Sequence, residues 1–286
     1  MIETKSVWFS RPPKRDHLKA QHPATFAESD IVRLVSFFTK PGQRVLDPFV
    51  GSGSTLVACA ECGRSGVGIE LVEHWADVAR KRVRERESEL EGKDAREGEP
   101  KREGEAPAEP GPLSLKTLLP KPPVQEVILG DARDVMPTLP DASFHFVVTS
   151  PPYWMILRKD CDHKVKAERK SKGLNTRYSD EANDLGNCES YEDFLGELGK
   201  VFAECARVLK PRRYMAVVVS DFRHKSRFVA YHADISRVVE AVGFSLEGIT
   251  ILVQDSKNLY PYGIPHAFVS NIHHQYVLVF RKKAVG

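Results

Sequence analysis

A short apolar run near the middle of the chain ends abruptly in a double proline. Residues Phe144 to Val148 have the length and composition of a buried β-strand, and Thr149-Ser150-Pro151-Pro152-Tyr153-Trp154 follows directly. The prolines lack N–H donors and fix φ, so the chain must leave the sheet in a stiff turn whose carbonyl oxygens are available as acceptors. Open α/β sheets carry their chemistry at the carboxyl ends of strands. We therefore expect a functional site at this turn.

The turn contains groups that suit a planar amino substrate. An exocyclic amino group on a ring is a poor nucleophile because its lone pair is delocalised, so a catalyst must accept hydrogen bonds from its N–H groups. The Ser150 hydroxyl and the Pro151 carbonyl are candidate acceptors, and Tyr153 could stack on the ring, a contact worth ~1–3 kcal/mol per base in nucleic-acid sites. An ordinary proline-stiffened loop is the alternative at this stage.

A second pattern, from Val45 to Thr55, predicts a strand, a glycine turn and the start of a helix. The residues read VLDPFVGSGST, and Thr55 or Ser54 is available as the helix cap. A dinucleotide fingerprint would need a third glycine where Leu56 stands, and a Walker loop would need a lysine. The turn therefore predicts a ligand close to bare backbone, without a phosphate site.

Three acids stand at the ends of three successive predicted strands. Asp47 precedes the glycine turn, Glu70 ends the run from Ser65, and Asp131 follows the run Val127 to Leu129. A single acid in such a place is more often a helix cap or part of a solvated turn. Because the carboxyl ends of parallel strands meet at one edge of a sheet, the three together predict a nucleoside pocket.

The order of the predicted elements indicates an α/β fold. Four or five parallel strands with crossover helices precede a hairpin formed by residues near 247–254 and 275–281. This order predicts a doubly wound, mostly parallel sheet with a terminal antiparallel hairpin. A chain of 286 residues, 41% of them hydrophobic, can bury one substantial core, so we expect a single catalytic domain over residues 1–286.

The motifs together resemble the S-adenosylmethionine-dependent amino-methyltransferases that modify exocyclic nitrogens in DNA. DPFVGSGS, Glu70, the GDA at Asp131 and TSPPYW carry the resemblance, which runs from about His22 to Lys282 and is broken by one insertion. It implies a seven-stranded, Rossmann-like methyltransferase sheet, S-adenosylmethionine as the cofactor, DNA with a flipped target base as the partner, and no metal.

The resemblance also implies roles for individual residues. The glycine turn would bind the methionine part of the cofactor, the acid after the second strand would hold its ribose, and the GDA acid would lie near its adenine. The cofactor-binding candidates are His22, Thr25, Asp47, Pro48, Phe49, Gly51, Ser52, Gly53, Thr55, Glu70 and Asp131. The catalytic candidates are Ser150, Pro151, Pro152 and Tyr153.

The serine at position 150 favours N4 of cytosine as the target. Adenine-N6 enzymes of the family usually carry aspartate there, and they are the nearest alternative, ahead of enzymes that methylate RNA or a protein glutamine. Methylation at cytosine C5 needs a thiolate nucleophile in a Pro-Cys context, and no Pro-Cys dipeptide occurs.

Charge is distributed unevenly along the chain. Residues 85–123 form an acid-rich segment with a near repeat, which we predict to be a disordered insertion. The remainder is basic, and the excess concentrates after the double-proline turn. A charge run is usually a solvated loop, but the position of this one predicts contacts with DNA phosphates. The candidates are Arg158, Lys159, Lys164, Lys166, Arg169, Lys170 and Lys172.

Composition also bears on location and partners. Five cysteines without a regular framework, and the lack of an 18-residue apolar span, lead us to expect a cytoplasmic protein without a membrane role. Whether the chain forms a homodimer, and whether a cognate restriction endonuclease accompanies it, stays open. The loop Lys257 to His274, rich in aromatics and histidines, could hold a flipped base or simply pack on itself.

Overall fold

The computed structural model describes residues 5–10, 27–97, 123–154, 183–224, 227–254 and 268–284. Several predicted contacts therefore lie outside the described residues. They are the cofactor candidates His22 and Thr25 and the DNA-binding candidates Arg158, Lys159, Lys164, Lys166, Arg169, Lys170 and Lys172. Within the described ranges, no helix is long and apolar enough to cross a bilayer.

The strands follow the predicted order, with additions at one edge. They are β1 Val7–Phe9, β2 Arg44–Asp47, β3 Ser65–Glu70, β4 Gln125–Leu129, β5 Phe144–Thr149, β6 Leu209–Val219, β7 Phe222–His224, β8 Arg227–Val229, β9 Phe244–Val253 and β10 His274–Lys282. One eight-stranded sheet has the order β1-β9-β10-β6-β5-β2-β3-β4, and β7 and β8 form a separate hairpin.

The sheet is mostly parallel, as predicted. Strands β6, β5, β2, β3 and β4 pair in parallel, whereas β10 pairs antiparallel with both β6 and β9. The doubly wound sheet with its terminal antiparallel hairpin is therefore confirmed. The sheet has eight strands rather than seven because β1 adds in parallel to the outer edge of β9.

Helices cover both faces of the sheet. They are α1 Glu28–Phe38, α2 Ser54–Glu61, α3 Glu73–Glu97, α4 Ala132–Val135, α5 Tyr191–Val208 and α6 Tyr231–Ala241. Apolar residues of α1 and α2 pack against one face of the sheet, and those of α5 and α6 pack against the other.

Strand β5 is buried on both faces, which explains its unbroken apolar sequence. Phe146 and Val148 belong to the core beneath α1 and α2, whereas Val147 belongs to the core beneath α5 and α6. Successive side chains of a strand point to opposite faces, so a central parallel strand must be apolar at every position. The double-proline turn is thereby anchored to the middle of the sheet.

Helix α3 extends further than predicted. Disorder was expected from Glu85, but the helix continues to Glu97. Its charged residues pair along and between helices: Arg86 lies 2.8 Å from Glu89 one turn away and 2.7 Å from Glu61 of α2. Such pairs support a helix whose composition alone indicates disorder. Disorder of the remainder of the segment, outside the described residues, stays a prediction.

A close packing contact next to the sheet edge gives a stability test. A Cβ added to Gly68 of β3 would lie 2.6–2.9 Å from three side-chain carbons of Val50. Overpacking of this kind costs about 1–3 kcal/mol. We therefore expect Gly68→Ala to lower the free energy of unfolding by that amount in urea denaturation.

Gly248→Ala is the matched control for this test. Gly248 lies in β9, and an added Cβ there would meet no atom within 4 Å. The added methyl group reduces the freedom of the unfolded chain, so we expect this variant to be at least as stable as the wild type. Equal destabilisation of both variants would contradict the packing argument.

Candidate active site

Asp47 connects three segments at the carboxyl end of β2. Its Oδ1 accepts hydrogen bonds from the Phe49 amide (3.0 Å) and the Thr149 hydroxyl (2.7 Å), and its Oδ2 accepts one from the Thr55 hydroxyl (2.5 Å). The side chain is buried, and burial raises its pKa to about 6 although these bonds lower it. The glycine turn, the start of α2 and the end of β5 are thus held by one carboxylate.

Gly53, rather than Ser54 or Thr55, caps helix α2. Its backbone is left-handed, with φ of 84°, and a Cβ at this position would lie 2.9 Å from the Cβ of Ala79 in α3. The predicted hydroxyl caps are wrong because both hydroxyls have other partners: Ser54 donates to Glu28 (3.2 Å), and Thr55 donates to the acid that ends β2. The turn therefore needs glycine for its conformation and for its contact with α3.

Glu70 ends β3 and directs its carboxylate at the glycine turn. Its Oε2 accepts a hydrogen bond from the Gly51 amide (2.9 Å), and its Oε1 accepts one from the Val72 amide (2.9 Å). Burial raises the pKa of this carboxyl to about 7, against the effect of both bonds. An ionised carboxylate has about four acceptor positions. The side chain is therefore fixed in place and can still accept hydrogen bonds from ligand hydroxyls.

A cavity opens at this edge of the sheet. Its wall brings together predicted residues from both motifs, namely Pro48, Phe49, Gly51, Ser52, Glu70, Asp131, Ser150 and Pro152. Asp47, Gly53, Thr55, Pro151 and Tyr153 do not line it. Hydrogen bonds or close packing hold Asp47, Gly53 and Thr55 behind the wall, and direct contact of these residues with the cofactor stays a prediction.

The chemistry of this wall fits an adenosine-containing cofactor. Phe49, Ile69 and Val72 supply apolar surface for a base, while the Glu70 carboxylate lies beside them for ribose hydroxyls. The bare backbone at Gly51 allows close approach of a flexible chain.

Asp131 lines the cavity, but its carboxylate already has strong partners. It caps α4 by accepting from the Arg133 amide (2.8 Å) and forms an ion pair with the Arg133 guanidinium (2.6 Å). The same guanidinium pairs with Glu197 of α5 (2.8 Å) and donates to the Asn183 carbonyl (2.7 Å). Asp131 thus helps to position the part of the wall formed by residues 183–185.

That part of the wall was missed in the sequence. Asn183, Asp184 and Leu185 line the cavity, and the Asp184 carboxylate caps a short 3-10 turn by accepting from the Gly186 amide (2.8 Å). No apolar strand precedes these residues, so strand-end reasoning could not find them. An aspartate two residues before a glycine, typical of a turn, was the available signal.

The double-proline turn is supported from behind by aromatic side chains. The Tyr231 hydroxyl donates to the Pro152 carbonyl (2.9 Å), and the Tyr153 hydroxyl accepts from the Ser220 amide (2.8 Å). The Tyr153 ring also lies 5.4 Å from the Tyr231 ring, centre to centre. Ser150 is the residue of this turn that carries a hydroxyl and lines the cavity. Stacking of Tyr153 on a substrate ring stays a prediction.

Comparison with known proteins supports the reading of the motifs. Residues 2–81 and 144–285 match the family model of the N6/N4-type DNA methylase. The unmatched residues between these two stretches include the acid-rich segment. The match confirms the resemblance to amino-methyltransferases, and with it the prediction of S-adenosylmethionine as the cofactor.

Individual relatives match over shorter stretches. The type II methyltransferase M2.DpnII of Streptococcus pneumoniae is 36% identical over 82 residues, which are 28% of this chain and 31% of that protein. The type II methyltransferase M.SmaI of Serratia marcescens is 45% identical over 62 residues, 22% of this chain and 21% of that protein. The chain thus spans less than a third of the length of each of these relatives.

The hydrogen bonds of Asp47 predict a large effect of its removal. Asp47→Ala leaves the Thr55 and Thr149 hydroxyls and the Phe49 amide without their acceptor, and a buried unpaired donor costs about 1–3 kcal/mol. We expect the free energy of unfolding to fall by at least about 2 kcal/mol and cofactor binding to be lost. Urea denaturation and calorimetric titration with S-adenosylmethionine measure these two effects.

Asp77→Ala is the control, because Asp77 is exposed in α3 and forms a surface ion pair with nearby Arg80 (2.8 Å). We expect the free energy of unfolding of this variant to change by no more than about 0.5 kcal/mol.

The buried carboxyl of Asp47 also predicts a pH dependence of stability. Burial raises the Asp47 pKa from 3.8 to about 6, so the native state keeps a proton that the unfolded state releases. Wild-type stability relative to Asp47→Asn should therefore fall from about pH 4 to about pH 6 and stay constant above. A flat difference would contradict this assignment.

Proposed function

We propose that this chain, which belongs to the N6/N4 DNA methylase family, transfers a methyl group from S-adenosylmethionine to the exocyclic N4 of cytosine in DNA. The observation that carries the proposal is the position of Ser150. Ser150 lines the same cavity as Glu70 and the glycine turn. A methyl donor bound at the turn and an amino group at the serine would therefore share one enclosed space, which makes their reaction effectively unimolecular.

The proposed cofactor contacts divide among three strand ends. Glu70 after β3 would accept hydrogen bonds from the ribose hydroxyls, and the backbone from Gly51 to Ser52 would hold the methionine part. The wall near Asp131 would contact the adenine. Asp47 contributes indirectly, by fixing the turn on which the methionine contacts depend.

Ser150 and Pro151 would activate the target nitrogen. Tyr231 already donates to the Pro152 carbonyl, which leaves the Ser150 hydroxyl and the Pro151 carbonyl as acceptors for the two N–H groups. S-adenosylmethionine supplies a methyl group on a sulfonium, a good leaving group that needs no metal. The sulfonium would leave as a neutral thioether, and the methylated amino nitrogen would lose one proton, which the Ser150 hydroxyl would relay to water.

Contacts with DNA phosphates are proposed for the basic segment that begins after Trp154. The described structure stops at Trp154, just after the double-proline turn, and resumes at Asn183, which lines the cavity. Arg158, Lys159, Lys164, Lys166, Arg169, Lys170 and Lys172 lie between these two points in the sequence. Positive charge next to the opening would set affinity and register on the duplex.

Mass spectrometry of nucleosides is the direct test of the proposed function. DNA incubated with the purified protein and isotopically labelled S-adenosylmethionine should yield labelled N4-methyl-2′-deoxycytidine. Labelled N6-methyladenine would retain the enzyme class and assign the adenine alternative. Label that appears only in RNA or protein, offered in parallel, would overturn DNA as the substrate.

The role proposed for Ser150 predicts that removal of its hydroxyl lowers kcat without weakening the binding of S-adenosylmethionine. Loss of one hydrogen-bonding group aimed at the reacting atoms costs about 100-fold in rate in comparable sites. We expect Ser150→Ala to reduce kcat by that order and to leave the affinity for S-adenosylmethionine within about twofold.

Ser143→Ala provides the matched control. Ser143 precedes β5 at its other end and donates to the Pro140 carbonyl (2.7 Å) in an exposed turn. This variant should retain wild-type turnover. If Ser150→Ala reduced cofactor affinity and kcat to the same extent, the hydroxyl would be part of the cofactor site and the proposed role would be wrong.

A further inference from the structure

The hairpin of β7 and β8 is attached directly to the double-proline turn. It leaves β6 at the carboxyl end, the end at which Ser150 follows β5. The Phe222 ring lies edge-on to the Tyr153 ring, with centres 6.2 Å apart, and the His224 ring centre lies 4.7 Å from that of Trp154. The inner face of the hairpin is therefore packed against the double-proline turn, whose residues Ser150 and Pro152 line the cavity.

The outer face of the same hairpin carries an arginine and a phenylalanine. Arg223 and Phe228 are cross-strand partners, and such partners lie on one face of a hairpin. Side chains alternate along a strand, so this face is opposite to that of Phe222 and His224. Phe228 is 50% exposed, and the Arg223 guanidinium lies 5.4 Å from the centre of its ring.

The segment before β10 lies beside this outer face. An Arg223 guanidinium nitrogen lies 3.5 Å from the Ser270 hydroxyl, and Phe268, two residues before that serine, is 92% exposed. An exposed aromatic ring and a guanidinium group thus occur together on the outer face of the hairpin.

This combination fits duplex DNA better than a protein partner. The sequence from Phe222 to Val229, FRHKSRFV, contains three lysine or arginine residues and no acid, which favours a polyanion. An apolar ring suits the stacked interior of a duplex, and proteins commonly insert such side chains between base steps. A base that leaves the stack to react also leaves a gap that must be filled or closed.

We propose that Phe228 enters the base stack and fills the space left by the target base, while Arg223, its partner on the same face of the hairpin, contacts a flanking phosphate. The inference rests on the proposed function, because it requires DNA as the substrate. The rigid contacts of the inner face make the hairpin a fixed support for the ring. The distance between the DNA base stack, where the Phe228 ring would insert, and the cavity then determines how far the target base must rotate out of the duplex.

Single-turnover kinetics on two duplexes test this role. One is a matched duplex that the wild type methylates, and the other is identical except for an abasic site opposite the target base, where no pairing opposes extrusion. We expect Phe228→Ala to slow methyl transfer about tenfold on the matched duplex and less than about twofold on the abasic one. Phe228→Trp, which keeps a large ring, should retain the wild-type ratio between the two duplexes.

Phe37→Ala is the matched control. Phe37 is 51% exposed but lines a separate groove together with Arg212, near the amino end of β6. The Phe37→Ala variant should leave the rate of methyl transfer unchanged on both duplexes. Affinity for S-adenosylmethionine, measured by calorimetry, should be the same in all variants, since the hairpin lies outside the cofactor wall.

The outcomes separate this inference from the proposed function. If the wild type methylates DNA but Phe228→Ala slows both duplexes equally or neither, the insertion of Phe228 is overturned and the function stands. If the wild type methylates RNA or protein and no duplex DNA, both proposals are overturned.

Discussion

The arrangement of the candidate site depends on the buried carboxylate of Asp47. It accepts hydrogen bonds from the Phe49 amide and from the Thr55 and Thr149 hydroxyls, although burial favours its neutral form. Thr149 is the residue directly before Ser150. One side chain therefore sets the distance between the glycine turn, where we propose that the methyl donor binds, and the serine, where we propose that the methyl acceptor binds.

The parallel sheet places the segments that Asp47 connects around one cavity. Strands β2, β3 and β5 lie side by side and in parallel, so their carboxyl ends present the glycine turn, Glu70 and Ser150 along one edge. The acids at this edge differ in what they do. Glu70 fixes its carboxylate with two backbone amides, whereas Asp131 uses its carboxylate to hold Arg133.

Local patterns predicted the parts of the structure that local forces determine. The apolar run of β5 and the glycine turn depend on neighbours in the sequence, and they occur where predicted. The inward direction of Asp47 depends on Thr149, 102 positions away. β1 and the hairpin of β7 and β8 consist of three-residue strands, too short for a periodic pattern. The helical part of the acid-rich segment depends on ion pairs that composition does not reveal.

The hydrogen bond between the Trp154 indole and the Cys188 carbonyl joins the two ends of the segment between the serine turn and α5. Because these ends are already joined, each doubling of the length of the segment adds only about 0.6 kcal/mol of closure entropy. The sequence between these two residues can therefore differ in length while the cavity keeps its shape. If that segment contacts DNA as we propose, its residues can change without altering those around Ser150.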